Sequence, residues 1–393
     1  MPNDPPSSLN RFAETKLASL DARGQRRELT STARSAGGRA EQGGRNVISF
    51  CCNDYLNLSQ HPQVKMAAAE ALQIHGAGSG ASRLVTGNAP LYAALEAQLA
   101  RIKGTEAALV FGAGYLANTG IIPALVGEGD VIFADELSHA CLLSGARLSG
   151  ARTHVFRHND MDHLARLVAV HRDEARNALL LTDGVFSMDG DLAPLPEMVA
   201  LAQANDLWLM TDDAHGLGVV GGGRGSAHAF GPGALDIPLQ MGTLSKAVGG
   251  YGGYLCASQA VIDLMKSRAR TLVYSTGLPP ATLAAAKAAL DIIEHDQGRV
   301  KRPVERAAQF CREAGLPPPQ SPIVPVIIGP EAEALAASDL LLKEGYLVTA
   351  IRPPTVPAGT ARLRLTFMAD HDPADVSRLA SIIRERIIQK PAA

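Results

Sequence analysis

From position 107 onward, short apolar runs alternate with stretches in which apolar residues recur every three to four positions. The runs at 107–111, 131–134, 153–156, 178–182, 207–211, 237–241 and 253–257 predict strands. Each is nearly continuous in apolar residues, as a strand buried on both faces must be. They therefore predict a mostly parallel sheet covered by helices. Helical periodicity at 161–170 and 196–205 falls between strands, as that architecture requires. Upstream, 91–102 is amphipathic, with Leu91, Ala94, Leu95, Leu99 and Ile102 predicted on one face. Residues 1–60 read as an arm carrying one short strand, 47–50, and a long helix is predicted at 280–295. Beyond Gly298 the character changes. Three separated strand signals, at 323–328, 346–351 and 361–367, alternate with helical patterns at 332–344 and 373–388. The predicted chain is α/β: an arm (1–60), a large domain (61–290) and a smaller α+β domain (291–393) with its own sheet.

In open sheets of this kind ligands sit at the carboxyl ends of the strands. Lys246 follows the 237–241 run, inside Met241-Gly242-Thr243-Leu244-Ser245-Lys246-Ala247-Val248-Gly249-Gly250. The chain has nine lysines, and an ordinary lysine is a solvated surface charge. Lys103 at a helix end, Lys287 and Lys343 on helices and Lys390 in the tail all read that way. Lys246, among small residues between a strand and a Gly-rich turn, does not. Asp212-Asp213-Ala214-His215 closes another apolar run. Either aspartate can simply be a helix N-cap. Together with Lys246, however, Asp212 and His215 supply what pyridoxal phosphate (PLP) needs. The lysine forms a Schiff base, the acid keeps the pyridine nitrogen protonated, and the histidine reaches the ring's phenolic oxygen.

Phe111-Gly112-Ala113-Gly114-Tyr115 follows a strand and opens a helix, so its backbone N–H groups and the helix dipole can approach a phosphate. Such turns are often only structural. Thr243 can add a hydroxyl. His139, just past a strand, can stack on a flat ring, and Ser187 lies in a turn-rich segment that can reach one. Arg362 and Arg364 share a face of the 361–367 strand and offer a fork for a carboxylate. The plainer reading of that strand is an edge with a charged outer face.

Composition narrows the classes. A formal net charge of −2 gives no basic footprint for nucleic acid. No apolar run approaches the roughly 20 residues that span a bilayer. Residues 1–10, polar and proline-rich, do not read as a secretory signal. Five cysteines without C-x-x-C spacing argue against a disulfide framework and against a zinc or other metal site. A reducing cytoplasm is the expected compartment.

The motifs Asn53-Asp54-Tyr55-Leu56, Gly78-Ser79-Gly80-Ala81-Ser82-Arg83, Leu137-Ser138-His139-Ala140, the stretch 183–191, Asp212 to Gly216 and Thr243 to Lys246 resemble those of the α-oxoamine synthases. These are PLP-dependent transferases of the aspartate-aminotransferase fold (fold type I). The resemblance runs from about residue 46 to 385. It implies Lys246 as the Schiff-base lysine, Asp212 at the pyridinium, His215 and Ser187 at the phenolic oxygen, and His139 on the ring. It gives the phosphate to Gly112, Ala113, Gly114, Tyr115 and Thr243, with Thr276 donated across a homodimer. Asn53 and Arg364 would hold the amino-acid carboxylate, Thr355 would lie by the substrate, and Arg26, with Arg27 as the alternative, would contact an acyl thioester.

The segment 348–366 is similar to that of members joining L-alanine to a pimeloyl thioester, on coenzyme A or an acyl carrier protein. Members using glycine, such as 5-aminolevulinate and 2-amino-3-oxobutyrate synthases, differ there. A non-catalytic partner subunit would be expected to have lost Lys246. Two positions depart from the family pattern: Asn57, where glycine is usual, and Tyr92, where histidine is common.

Overall fold

The computed structural model describes residues 7–389; Lys390 and most of the polar 1–10 stretch lie outside them. The arm begins with helix α1 (Ser8–Ala22), capped by the Ser7 hydroxyl accepting from the Asn10 N–H. Three short strands follow, β1 (Thr32–Arg34), β2 (Arg39–Gln42) and β3 (Arg45–Ser49). The hydrophobic pattern predicts only the last of them. β1 is exposed at every position and β2 at alternate ones, so neither carries an apolar run.

Helices α2 (Pro62–His75) and α3 (Leu91–Lys103) lead into the large sheet. α3 buries Tyr92, Leu95, Gln98, Leu99, Ile102 and Lys103, while Ala94 faces solvent. The buried stripe is thus rotated from the predicted one, toward Tyr92 and Lys103. Gly104 ends the helix at φ 72°, a conformation glycine adopts without steric cost. The sheet then builds as β4 (Ala107–Phe111), α4 (Gly114–Leu125), β5 (Val131–Asp135), α5 (Ala140–Ser149), β6 (Arg152–Phe156), α6 (Met161–His171), β7 (Ala178–Asp183), α7 (Leu195–Ala204), β8 (Trp208–Asp212), β9 (Leu239–Thr243) and β10 (Gly253–Ala257).

The strand order is β4-β10-β9-β8-β7-β5-β6. Six strands run parallel and β10 runs antiparallel to both its neighbours. The reversal has a simple cause: β9 connects to β10 by the loop 244–252, not by a helical crossover, and that loop carries Lys246. Every position of β5, β7, β9 and β10 is buried, which accounts for their mostly apolar runs, although Gln240 of β9 is buried too. One apolar cluster packs one face of the sheet against its helices, and two share the other face, one along β5, β6, β7 and β8 and one along β4 and β10.

Helices α8 (Gln259–Arg268), α9 (Arg270–Val273), α10 (Pro280–His295) and α11 (Gln297–Ala314) lead to the smaller sheet. That sheet comprises β11 (Ile323–Gly329), β13 (Thr349–Ile351) and β14 (Ala361–Thr366), with β14 in the centre. The single run predicted at 346–351 is two strands. β12 (Tyr346–Leu347) leaves the small sheet and pairs in parallel with β3 of the arm. Helices α12 (Glu331–Lys343) and α13 (Pro373–Ile383) cover this region, and Arg384–Ile388 continue as a wider turn. Phe50 of the arm is buried against Tyr346 and Phe367 in a cluster that includes Phe310, so the arm's strands share a core with the C-terminal residues. Among the described residues no helix is long and apolar enough to cross a membrane.

Candidate active site

The parallel strands all present their carboxyl ends on one side. Asp183, Asp212 and Thr243 end β7, β8 and β9 side by side, and Gly112 follows β4. The segment after β5 runs through His139 into α5. β14 of the small sheet brings Arg364 to the same place through the Ser187 carbonyl, to which its Nε donates.

The Asp212 carboxylate is buried at the edge of its turn. Its Oδ1 accepts from the Ala214 N–H at 3.0 Å, the local turn that aspartate favours. Its Oδ2 accepts from Asn118 Nδ2 at 2.7 Å. Asp183 is its direct cross-strand neighbour and is also buried. Burial, and then the adjacent Asp212 carboxylate, push the Asp183 carboxyl well above the usual carboxylate range. Asp183 Oδ2 accepts from the His139 backbone N–H at 2.9 Å, fixing the residue that caps α5. The His139 ring accepts at Nδ1 from the Cys141 N–H. Burial holds its pKa below the ordinary histidine value despite the nearby Asp212 charge.

Lys246 lies on the β9–β10 loop, half-buried. Burial lowers its pKa; Asp212 and Asp183 oppose that shift, and the Arg364 charge adds to it. His215 is buried with Nδ1 2.6 Å from the Tyr55 hydroxyl. Burial, followed by the Lys246 and Arg364 charges, drives its pKa well down. The Tyr55 hydroxyl is pushed up to about 12, chiefly by burial, so it stays protonated and is a ready donor to the imidazole.

Arg362 and Arg364 are both buried, because β14 is central in its sheet. The exposed-edge reading of this strand is therefore wrong. Arg362 is committed: it pairs with Asp189 and also donates to Thr360. Arg364 donates to the Ser187 carbonyl and, at 3.1 Å, to Asn53 Oδ1, while its Nη2 has no partner among the described residues. A buried guanidinium N–H without an acceptor is costly and suits an incoming carboxylate.

At the start of α4, Gly114 faces Thr243. A Cβ on Gly114 would lie 3.4 Å from the Thr243 Cβ, so the helix N-terminus and the hydroxyl are close neighbours. Thr243 Oγ1 donates to the Gly252 carbonyl at 2.7 Å and lies 2.8 Å from the exposed Ser245 hydroxyl. Gly112 and Ala113 form the turn before the helix, and the Tyr115 hydroxyl donates to Ser144.

The remaining sequence candidates lie further out. Thr276 is exposed in the protomer, held in an antiparallel bridge to Ser82. Thr355 is exposed in the turn 352–355. Arg26 is exposed and pairs with Asp21 of its own arm at 2.9 Å, and Arg27 is also exposed. Arg352 links arm and loop by donating to the Gly24 carbonyl.

The two departures have local explanations. Asn57 sits at φ 52°, the left-handed region in which asparagine is the best tolerated residue after glycine, and it donates to Asp370 at 3.0 Å. Tyr92 is buried under the Arg83 guanidinium, and its hydroxyl accepts from the Leu278 N–H.

Asn118, Asp183 and Tyr55 escape the sequence reading as site residues. So does Lys103, which is no surface lysine: only 1 % exposed, it bonds Asp213 (0 % exposed) at 2.6 Å. It also donates to the Arg224 carbonyl. The signal available was adjacency. Asp183 ends a strand beside Asp212, and Asn118 lies four residues past Gly114.

These features fit PLP. An amine with lowered pKa, a buried carboxylate and a helix N-terminus beside a hydroxyl lie at the carboxyl ends of the large sheet's strands, and the small sheet brings an unfilled guanidinium to them. The chain belongs to the class I and II aminotransferase family, whose model matches residues 45–383. That family holds PLP, and PLP is the cofactor of this chain.

Among named relatives, the chain is 59% identical over 387 residues to the 8-amino-7-oxononanoate synthase of Maricaulis maris, covering 98% of each protein. It is 64% identical over 344 residues to that of Methylocella silvestris, covering 88% of this chain and 98% of the relative. Among solved structures, it superposes on a PLP-bound serine palmitoyltransferase of S. paucimobilis with TM-score 0.89 and 28% identity, over 96% of this chain and 98% of that one. An 8-amino-7-oxononanoate synthase of Francisella tularensis gives 0.75 and 26%, over 88% and 98%.

Proposed function

We propose that this chain joins L-alanine to a pimeloyl thioester, releasing 8-amino-7-oxononanoate, carbon dioxide and free thiol for biotin biosynthesis. PLP, when bound, supplies an electron sink for the carbon beside the amino group. Lys246 is its covalent anchor and the amine that takes and returns the Cα proton; its lowered pKa brings the neutral form within reach. Asp212 holds the pyridine proton. Ser187 and His215, the latter gripped by Tyr55, meet the phenolic oxygen, and His139 covers the ring. The N–H groups at 112–115 and Thr243 take the phosphate. Thr276, exposed within one protomer, reaches the phosphate of a second copy, so the working form is a homodimer. Asn53 and Arg364 hold the alanine carboxylate. The arm with Arg26 and Arg27 and the loop with Thr355, joined through Arg352 and Gly24, face the thioester.

The observation carrying this reading is Arg364. It is buried to 7 % exposure, it acts on the Lys246 charge, and its Nη2 has no acceptor among the described residues, which is the arrangement an α-amino acid needs. A serine-using reading draws on the higher TM-score to serine palmitoyltransferase. The full-length identities of 59–64% to oxononanoate synthases weigh more, because backbone similarity is shared across the whole fold. A thiol-release screen decides between them. L-alanine, glycine and L-serine are each offered with pimeloyl-coenzyme A and with pimeloyl-acyl carrier protein. Release with L-alanine is expected; a clear preference for glycine or serine overturns the assignment.

A further inference from the structure

Helix α4 starts beside Thr243 and, one turn later, buries Asn118 against Asp212. Asn118 is fully buried, at 0 % exposure, among Ala117, Ile121 and Ile122. One Nδ2 hydrogen goes to Asp212 Oδ2 at 2.7 Å and the other to Cys141 Sγ at 3.0 Å. Its Oδ1 has no partner among the described residues. An amide with a bare buried carbonyl is unfavourable. Turning it over would set that oxygen against a carboxylate oxygen, which is worse. Asn118 is therefore matched to its site through its donors alone.

Among the described residues the Asp212 side chain has two other hydrogen-bond partners. The Ala214 N–H belongs to the same turn and moves with Asp212. The Cys141 thiol, a weak donor, is 3.9 Å away. The strong bond that refers this carboxylate to another element is the one from Asn118. Four residues of helix, about 6 Å of rise, separate Asn118 from Gly114.

We propose that Asn118 is a positioning residue that registers the Asp212 carboxylate to the start of α4, so that one helix sets both the phosphate end and the pyridine end of the PLP seat. This rests on the reading of Asp212 as the pyridine partner. Without Asn118 the carboxylate is free to turn away, and the cofactor is held less firmly and titrates differently.

The test is a double-mutant cycle of wild type, Asn118→Leu, Asp212→Asn and the pair. PLP affinity of the apo-protein is read from quenching of Trp208, the single tryptophan, which starts the strand ending in Asp212. The bound cofactor's absorbance is titrated against pH, and the melting temperature of the apo-protein controls for folding. Asn118→Leu is expected to weaken PLP roughly ten- to a hundredfold, the worth of one bond to a charged group, and to move the absorbance midpoint. In the Asp212→Asn background it should add little. If Asp212→Asn is damaging while Asn118→Leu alone binds and titrates as wild type, the Asn118 role is overturned and the Asp212 reading stands. Full additivity also overturns it, since Asn118 would then act without Asp212. If Asp212→Asn itself behaves as wild type, the Asp212 reading falls and takes this proposal with it. Should Asn118→Leu not fold, Asn118→Ser takes its place, with a smaller loss in the same direction supporting the role and unchanged affinity overturning it.

Discussion

Arg362 and Arg364 stand two positions apart on one strand, and their surroundings give them different tasks. Arg362 neutralises Asp189, whereas Arg364 keeps a nitrogen in reserve. Arg364→Ala should weaken L-alanine binding by roughly 2–5 kcal/mol, the cost of truncating a buried charge partner, with a smaller effect on the thioester. Arg362→Ala should instead lower stability first. Titrating L-alanine against the cofactor spectrum, beside thermal melts, separates the two; equal alanine affinity in wild type and Arg364→Ala would return the carboxylate to Asn53. Lys246→Ala should fold yet lose turnover. Borohydride reduction and mass spectrometry should find a pyridoxyl group on Lys246 in the wild type and on no lysine in the variant. The sequence alternation placed both arginines on one face. It left open which was spoken for, because Asp189 lies far away in sequence and meets Arg362 only when two sheets come together.

At the scale of elements, the inner strands of the large sheet were legible because burial on both faces leaves an apolar run; the edge strand β6, exposed at Arg152, Thr153 and Val155, is not buried on both faces as its run predicts. Polar burial was not legible. Lys103 ends a helix like any surface lysine, yet it lies under the turn carrying Asp212 and His215. Asp213 fills the cage there: a Cβ on Gly216 or Gly225 would come within 1.8 Å of its carboxylate, and the Ser226 N–H donates to it. Lys103→Met leaves that charge unpaired and should cost about 3–5 kcal/mol. Adding Asp213→Asn should recover much of the loss. Thermal melting of the two proteins checks this; an unchanged melting temperature in Lys103→Met would mean water reaches the pair. The arm strands β1 and β2 were missed for a related reason. They are held by backbone pairing and have no apolar run to announce them.

For the molecule as a whole, His158 fastens the loop bearing Ser187 to the main sheet. Its ring bridges Asp135 at the end of β5 and Asp191 at the end of that loop. Burial alone would lower its pKa, but the two carboxylates overcome it and raise it to about 10. A free histidine titrates near 6.5. The charged bridge therefore stabilises fully below about pH 6.5, and its contribution is lost as pH rises through about 10. The gap in unfolding midpoint between wild type and His158→Gln should be widest near pH 6 and close by about pH 10; a constant gap would make the ring a packing element only. Subunit mixing tests the shared site. Heterodimers of Lys246→Ala with Thr276→Arg should regain one working centre, because one site collects both defects and the other neither. Verified heterodimers without activity would place both residues in one chain's site.

The pairing of β3 with β12 has a consequence for how the protein is made. The hairpin of the arm leaves the ribosome first, but the strand that completes its sheet is made roughly 300 residues later. At 5–20 residues per second that is roughly 15–60 s of synthesis during which Ile48 and Phe50 have neither β12 nor the rest of their core. The large sheet can assemble in the meantime. The newborn chain thus carries an open, sticky edge for most of its translation, and this segment is where a nascent-chain chaperone would be expected to hold it.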